Sequence, residues 1–150
     1  MRQVALDSNL LVLLVVGSLA PSQIAGHKRL RAYDVEDFEL LCRHLDGAEL
    51  VTTPNAMTEA SNLIVYGVSE PLRSNLLFAL KSVADIVNER YLASGQVMTS
   101  DPYRRLGLTD AAWLALSEPR LELLTDDLPL YLAASHAGMN ARNFNHLRDR

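Results

Sequence analysis

The sequence predicts an α/β fold of three layers, with helices on both faces of a central, mostly parallel sheet. Short runs of strand character, "VAL", "ELVT" and "LELLT", alternate along the chain with longer segments of helical spacing. Strands held apart by helices pair through crossovers, which makes them parallel and covers the sheet on both sides. The length of 150 residues, 49% of them apolar, predicts a single domain over residues 1–150 that buries its own core. Its single cysteine, Cys42, rules out an internal disulfide and suits a reducing cytosol.

Each element has a local reason. Residues 4–6 form the first strand, which ends in Asp7-Ser8-Asn9, residue types that bond nearby backbone and start helices. Residues 10–19 follow as a helix, stopped near Gly17 and Pro21. Residues 20–34 are loop with a short helical turn. A helix spans residues 35–45, where Phe38, Leu41, Cys42 and Leu45 recur at helical spacing and Gly47 suits the C-terminal cap. Residues 50–53 form a strand. Thr53 and Pro54 then cap and open a helix to about Tyr66, ended by Gly67. A long helix runs from Pro71 or Leu72 to near Ala93, with Leu76, Leu80, Val83, Ala84 and Val87 on one face. Residues 97–107 are less regular. Thr109 caps the next helix, with Asp110 in its first turn, where the macrodipole favours an acid. Residues 121–125 are a strand. Asp126 or Asp127 caps a helix ended by Gly138, and residues 139–144 hold a last short strand.

The opening segment has a rival reading. Arg2, the apolar run 10–16 and the small residues Gly17, Ser18 and Ala20 outline an export signal. Asp7 stands between Arg2 and that run, where such signals carry positive charge, so a buried strand and helix are expected instead. The run is too short to cross a bilayer. The expectation is therefore a cytoplasmic protein that does not engage a membrane. The net charge of −4 excludes a protein that coats nucleic acid through bulk charge. It leaves room for an enzyme that works on nucleic acid at clustered acids, where recruited cations change the local sign.

The acids map to one edge of this fold. Asp7 follows the first strand, Glu59 lies about one turn into the helix after the second, and Asp126 and Asp127 follow the third. In a parallel sheet these strand ends share the edge that binds ligands. Asp110 starts a helix leading into the third strand and approaches the crevice from the side. Each acid alone reads as a helix starter or a solvated residue. Together, carboxylates on one rim repel one another unless a cation bridges them. Oxygen donors without histidine or cysteine suit Mg²⁺ or Mn²⁺.

"VALDSNLL" resembles the first motif of PIN domains, an Asp-x-Asn at the end of the first strand. "TTPNAMTEASNLI" is similar to their second motif, a Glu within the following helix. "LGLTDAAWLAL" resembles the third, and "LELLTDDLPLYLAASHAG" the fourth, a Thr-x-Asp after a strand. The four occur in family order and span nearly the whole chain. The resemblance, to the toxin-type ribonucleases among these domains, implies a site of Asp7, Glu59, Asp110 and Asp127. Asn9 and Thr125 would orient the carboxylates, and Asp126 is an extra acid that a one-residue shift exchanges with Asp127. It also implies an Mg²⁺- or Mn²⁺-dependent endoribonuclease acting on single-stranded RNA and leaving a 5′-phosphate and a 3′-hydroxyl. A cognate antitoxin protein and a homodimer are the partners it implies. The alternative is a PIN-like binding module without catalysis.

Other readings are weaker. Haloacid dehalogenase-type phosphatases need an Asp where Asn9 stands and a lysine late in the chain, whereas the last lysine is Lys81; response-regulator receivers lack the same lysine. Lys28, Arg29 and Arg31, Arg104 and Arg105, or Arg142 and Arg148 are candidate phosphate contacts or ordinary surface charges. His27, His44, His136 and His146 show no metal-site pairing, and His44 and His136 are expected on helix surfaces. Trp113 and Cys42 are expected to fill core.

Overall fold

The computed structural model describes residues 1–116 and 118–148. In chain order the elements are β1 (Gln3–Leu6), α1 (Ser8–Leu19), α2 (Val35–Leu45), β2 (Glu49–Thr52), α3 (Pro54–Ile64), α4 (Leu72–Ala84) and β3 (Asn88–Glu89). They continue with α5 (Ser94–Val97), α6 (Asp101–Leu106), α7 (Leu108–Leu116), β4 (Leu121–Thr125), α8 (Leu128–His136), β5 (Asn140–Asn143) and α9 (Phe144–Leu147). Two 3₁₀ turns, Pro21–Gln23 and Lys28–Leu30, fill the segment read as loop.

The described strands form one sheet in the order β3-β2-β1-β4-β5, with each neighbouring pair parallel. The α/β class with helices on both faces is therefore the observed architecture. Side chains alternate across the sheet because the strand period is two. Val4, Leu6 and Leu124 pack on one side with Leu10, Leu13, Val16, Ile64 and Leu76. Ala5, Val51, Leu121 and Leu123 pack on the other with Ala56, Trp113, Leu130 and Ala134. The apolar run of the opening segment is α1, buried along almost its whole length. A helix apolar all round is a core helix, and this one follows the central strand. Gly17 lies against the Phe38 ring, and a Cβ there would stand 2.2 Å from it. Among the described residues, no helix is long and apolar enough to cross a membrane.

Three expectations are corrected. The helix expected from residue 71 or 72 to near Ala93 ends at Ala84. The chain then turns and adds β3, with Val51 opposite Asn88 and Thr52 opposite Glu89. Val83, Ala84 and Val87 keep helical spacing up to the edge of β3, and a strand of two polar residues is too short to show alternation. The helix around Asp110 begins at Leu108, so Thr109 lies inside it. Gly107 precedes it with a positive φ of 89°, and the Gly107 carbonyl accepts from Ala111 N–H at 3.0 Å. His44 is half-buried, with Nε2 2.5 Å from Glu122 Oε2. Glu122 is buried in β4 and needs a polar partner there, which draws the histidine inward from α2. Residues 97–107, expected to be less regular, hold the short helix α6; the boundaries of the other expected elements lie within two residues of expectation, and Thr53 and Asp127 cap α3 and α8 through their side chains.

Candidate active site

The connections from β1 and β4 leave the sheet in opposite senses. The crevice between their carboxyl ends is the topological switch point at which open parallel sheets bind ligands. Leu6 and Leu124 are the last aligned pair of β1 and β4, and Asp7 N–H donates to the Leu124 carbonyl at 3.1 Å. Asp7 is therefore held at the strand end by the ladder itself. Its side chain caps α1, accepting from Ser8 N–H at 2.7 Å, and also accepts from the Thr125 hydroxyl at 2.5 Å. Thr125 Oγ1 in turn accepts from Asp127 N–H at 3.0 Å. One threonine thus ties the two strand-end acids together. Asp127 caps α8 by accepting from Leu130 N–H at 3.0 Å.

A cavity of about 320 Å³ opens at this point, lined by Asp7, Asn9, Glu59, Asp127 and the segment from Leu106 to Asp110. Asp7, Asp110 and Asp127 stand at starts of helices α1, α7 and α8, where the helix dipole favours negative charge. This eases their mutual repulsion without cancelling it. Burial pushes the Asp7 carboxyl up to about 6, against its bonds from Thr125 and Ser8, and Asp126 and Asp127 push the same way. Burial likewise pushes Asp110 up to about 7, with Asp7, Asp127 and Glu59 adding to the effect. Glu59 is the exposed member of the four.

The structure thus brings together Asp7, Glu59, Asp110 and Asp127 around one cavity. Asp126 is not in its wall. Its carboxylate accepts from the Tyr33 hydroxyl and, at 3.5 Å, from Asn9 Nδ2, so of the two adjacent acids Asp127 is the one that faces the cavity. Burial and the Asp126 charge raise the Tyr33 phenol well above its ordinary value, which keeps it a donor. Tyr33 has no motif around it that would have marked it in the sequence, and Thr109, expected as a helix cap, lines the cavity instead. Among the described residues, no group of three or more His, Cys, Asp or Glu side chains is arranged to hold a metal ion. The donor set, all carboxylates on a polar cavity, still fits a small hard cation, because Mg²⁺ keeps much of its water and binds through one or two carboxylates.

The chain matches no protein-family model, no curated protein and no solved structure.

The basic clusters are largely engaged elsewhere. Arg104 and Arg105 pair with Asp101 at 2.9 and 3.5 Å on the exposed face of α6. Arg142 lies 3.8 Å from Glu122. Arg29 sits over the Tyr66 ring at 5.7 Å, and the Lys28 side chain runs beside Gly67. Arg148 is structural: it forks onto buried Asp37 at 3.0 and 3.1 Å, donates to the Ala32 carbonyl and packs on the Tyr33 ring at 4.7 Å. Removing one member of a buried ion pair leaves the other charge poorly compensated. Arg148→Ala is therefore expected to lower stability by about 2–3 kcal/mol, given its partial exposure. Urea denaturation checks this, and an unchanged midpoint would show the pair to be incidental. His27 is buried, with Nε2 2.8 Å from the Ile64 carbonyl and Nδ1 accepting from Arg29 N–H. His136 is exposed and Trp113 fully buried, as expected, while Cys42 is half-buried.

Proposed function

We propose that the chain is a metal-dependent endoribonuclease that hydrolyses phosphodiester bonds of single-stranded RNA with Mg²⁺ or Mn²⁺. The observation that carries this reading is the gathering of Asp7, Glu59, Asp110 and Asp127, from four separate elements, around one polar cavity at the switch point of the sheet. Asp7 and Asp127 each cap a helix, but four carboxylates around one cavity repel one another, and burial, with that repulsion added, raises the proton affinity of Asp7 and Asp110. A retired site used only for binding has no reason to keep them. When bound, the cation supplies positive charge to a phosphodiester and acidifies water for the attack. Asp7 and Asp127 are the principal holders, since their orientations are set by backbone N–H groups and by Thr125. Asp110 completes the negative wall. Glu59, open to solvent, is the carboxylate placed to orient an attacking water. The motif resemblance extends the proposal to a toxin restrained by an antitoxin, acting in the cytoplasm as a homodimer.

Purified protein is expected to cut labelled single-stranded RNA in Mn²⁺ and to stop in EDTA, leaving 5′-phosphate ends. Failure to cut several RNAs and DNAs, together with no rise in melting temperature on adding Mn²⁺, would overturn the nuclease reading and favour the binding module.

A further inference from the structure

A second cavity, of about 380 Å³, is lined by Pro54, Asn55, Thr58, Glu59, Asn62 and Thr109. Glu59 and Thr109 also line the acidic cavity, so the two are compartments of one groove with a shared wall. Their chemistry differs sharply. The acidic compartment holds four carboxylates. Beyond the shared Glu59, the second has no charged side chain in its lining, only amides, hydroxyls and a proline. Asn55, Thr58, Glu59 and Asn62 fall at i, i+3, i+4 and i+7 of α3, so one face of that helix forms the floor. Asn55 and Asn62 lie two turns apart, about 10 Å along the axis.

These side chains are unengaged: among the described residues, Asn55, Thr58 and Asn62 make no side-chain hydrogen bond. An amide tip offers a donor and an acceptor side by side, the pattern that matches base edges. A phosphate would find no cation in this compartment and a carboxylate at its wall. We propose that the groove along α3 is a base-recognition subsite, in which Asn55 and Asn62 read the edges of nucleotides next to the bond held over the acids. This inference rests on the nuclease reading and adds to it a source of sequence preference that the carboxylates cannot provide.

The test is cleavage of a randomised single-stranded RNA pool in Mn²⁺, with sequencing of the new ends. It compares the wild type, Asn55→Ala, Asn62→Ala, the double variant and the control Asn75→Ala on the exposed face of α4. A paired amide contact discriminates between bases by roughly five- to a hundredfold. The double variant is expected to lose at least about fivefold of the base preference beside the cut, by cutting the preferred sequences more slowly while the disfavoured ones are cut as before. Asn75→Ala should keep the wild-type pattern. Circular dichroism and melting verify folding, and Asn55→Ser or Asn62→Ser replaces the alanine variant at the same position if it fails to fold. An unchanged pattern in the double variant, or a wild type without preference beside the cut, overturns the subsite and leaves the nuclease reading standing. Folded variants that cut nothing also overturn it, since base reading would then not be separable from catalysis. A wild type that cuts nothing overturns the nuclease reading and the subsite with it.

Discussion

Asp7→Asn is expected to reduce metal-dependent cleavage by about 10²–10⁴-fold, the several kcal/mol of charge stabilisation at stake when a cation loses an anchoring carboxylate. The fold should survive, because asparagine has nearly the same shape and keeps the contacts that build the strand end. Its carbonyl can accept from Ser8 N–H in place of the carboxylate oxygen. Its amide can donate to Thr125 Oγ1, which has a second lone pair beside the one that serves Asp127 N–H. The buried charge is what disappears. Single-turnover cleavage in Mn²⁺, read beside the melting temperature, separates the outcomes. A folded variant that cuts at the wild-type rate would reduce Asp7 to a helix cap and sink the proposed site. The pH profile offers a second reading. Protons compete with a cation for Asp7 and Asp110, whose carboxyls are pushed up to about 6 and about 7. Cleavage should therefore rise with pH through that window.

Asp110→Asn is expected to stabilise the metal-free protein while removing its activity. In the unfolded chain this carboxyl loses its proton near pH 4, its ordinary value; in the folded protein it keeps the proton to about 7. Between those values the folded state binds more protons, so stability falls as pH rises from about 4 to about 7 and stays low above. Asparagine does not titrate and removes that slope. Wild type and variant should match near pH 4. At pH 8 in EDTA the variant should be more stable by about 1–2 kcal/mol, discounted for the solvent that reaches this half-buried group. That corresponds to roughly 2–8 °C in melting temperature for a domain of this size. Mn²⁺ should close the gap by stabilising the wild type more. Identical melting profiles from pH 4 to 8 would show that Asp110 does not feel the other acids and would detach it from the cavity.

The removal of a carboxylate with opposite effects on stability and activity is the physical signature of acids that each suit their own helix start but are buried and crowded together by the fold. It also explains which features could be read from the chain. Caps and breakers act over a few residues, so Thr53, Pro54, Asp127 and Gly138 set their helix ends legibly. The central strand of the sheet was legible because "VAL" is followed at once by helix-starting Asp7-Ser8-Asn9. β3 was not, because its only evidence is backbone pairing with Val51 and Thr52, far away in the chain. In the sequence His44 looks like a surface residue, because the buried Glu122 that draws it in lies 78 residues further on.

By itself the sequence determined the α/β class, the alternation of strands and helices, and the set of acids at strand ends and helix starts. These follow from periodicity and capping, which are properties of neighbouring residues. Only the tertiary structure decided that Asp127 faces the cavity while Asp126 turns to Tyr33, that Arg148 is bound to Asp37 rather than free for a phosphate, and that a groove along α3, charged only at the shared Glu59, continues the acidic one. Each of these depends on which distant side chain arrives within hydrogen-bonding distance. Packing of the sheet and its helices sets that proximity, and no short stretch of sequence encodes it.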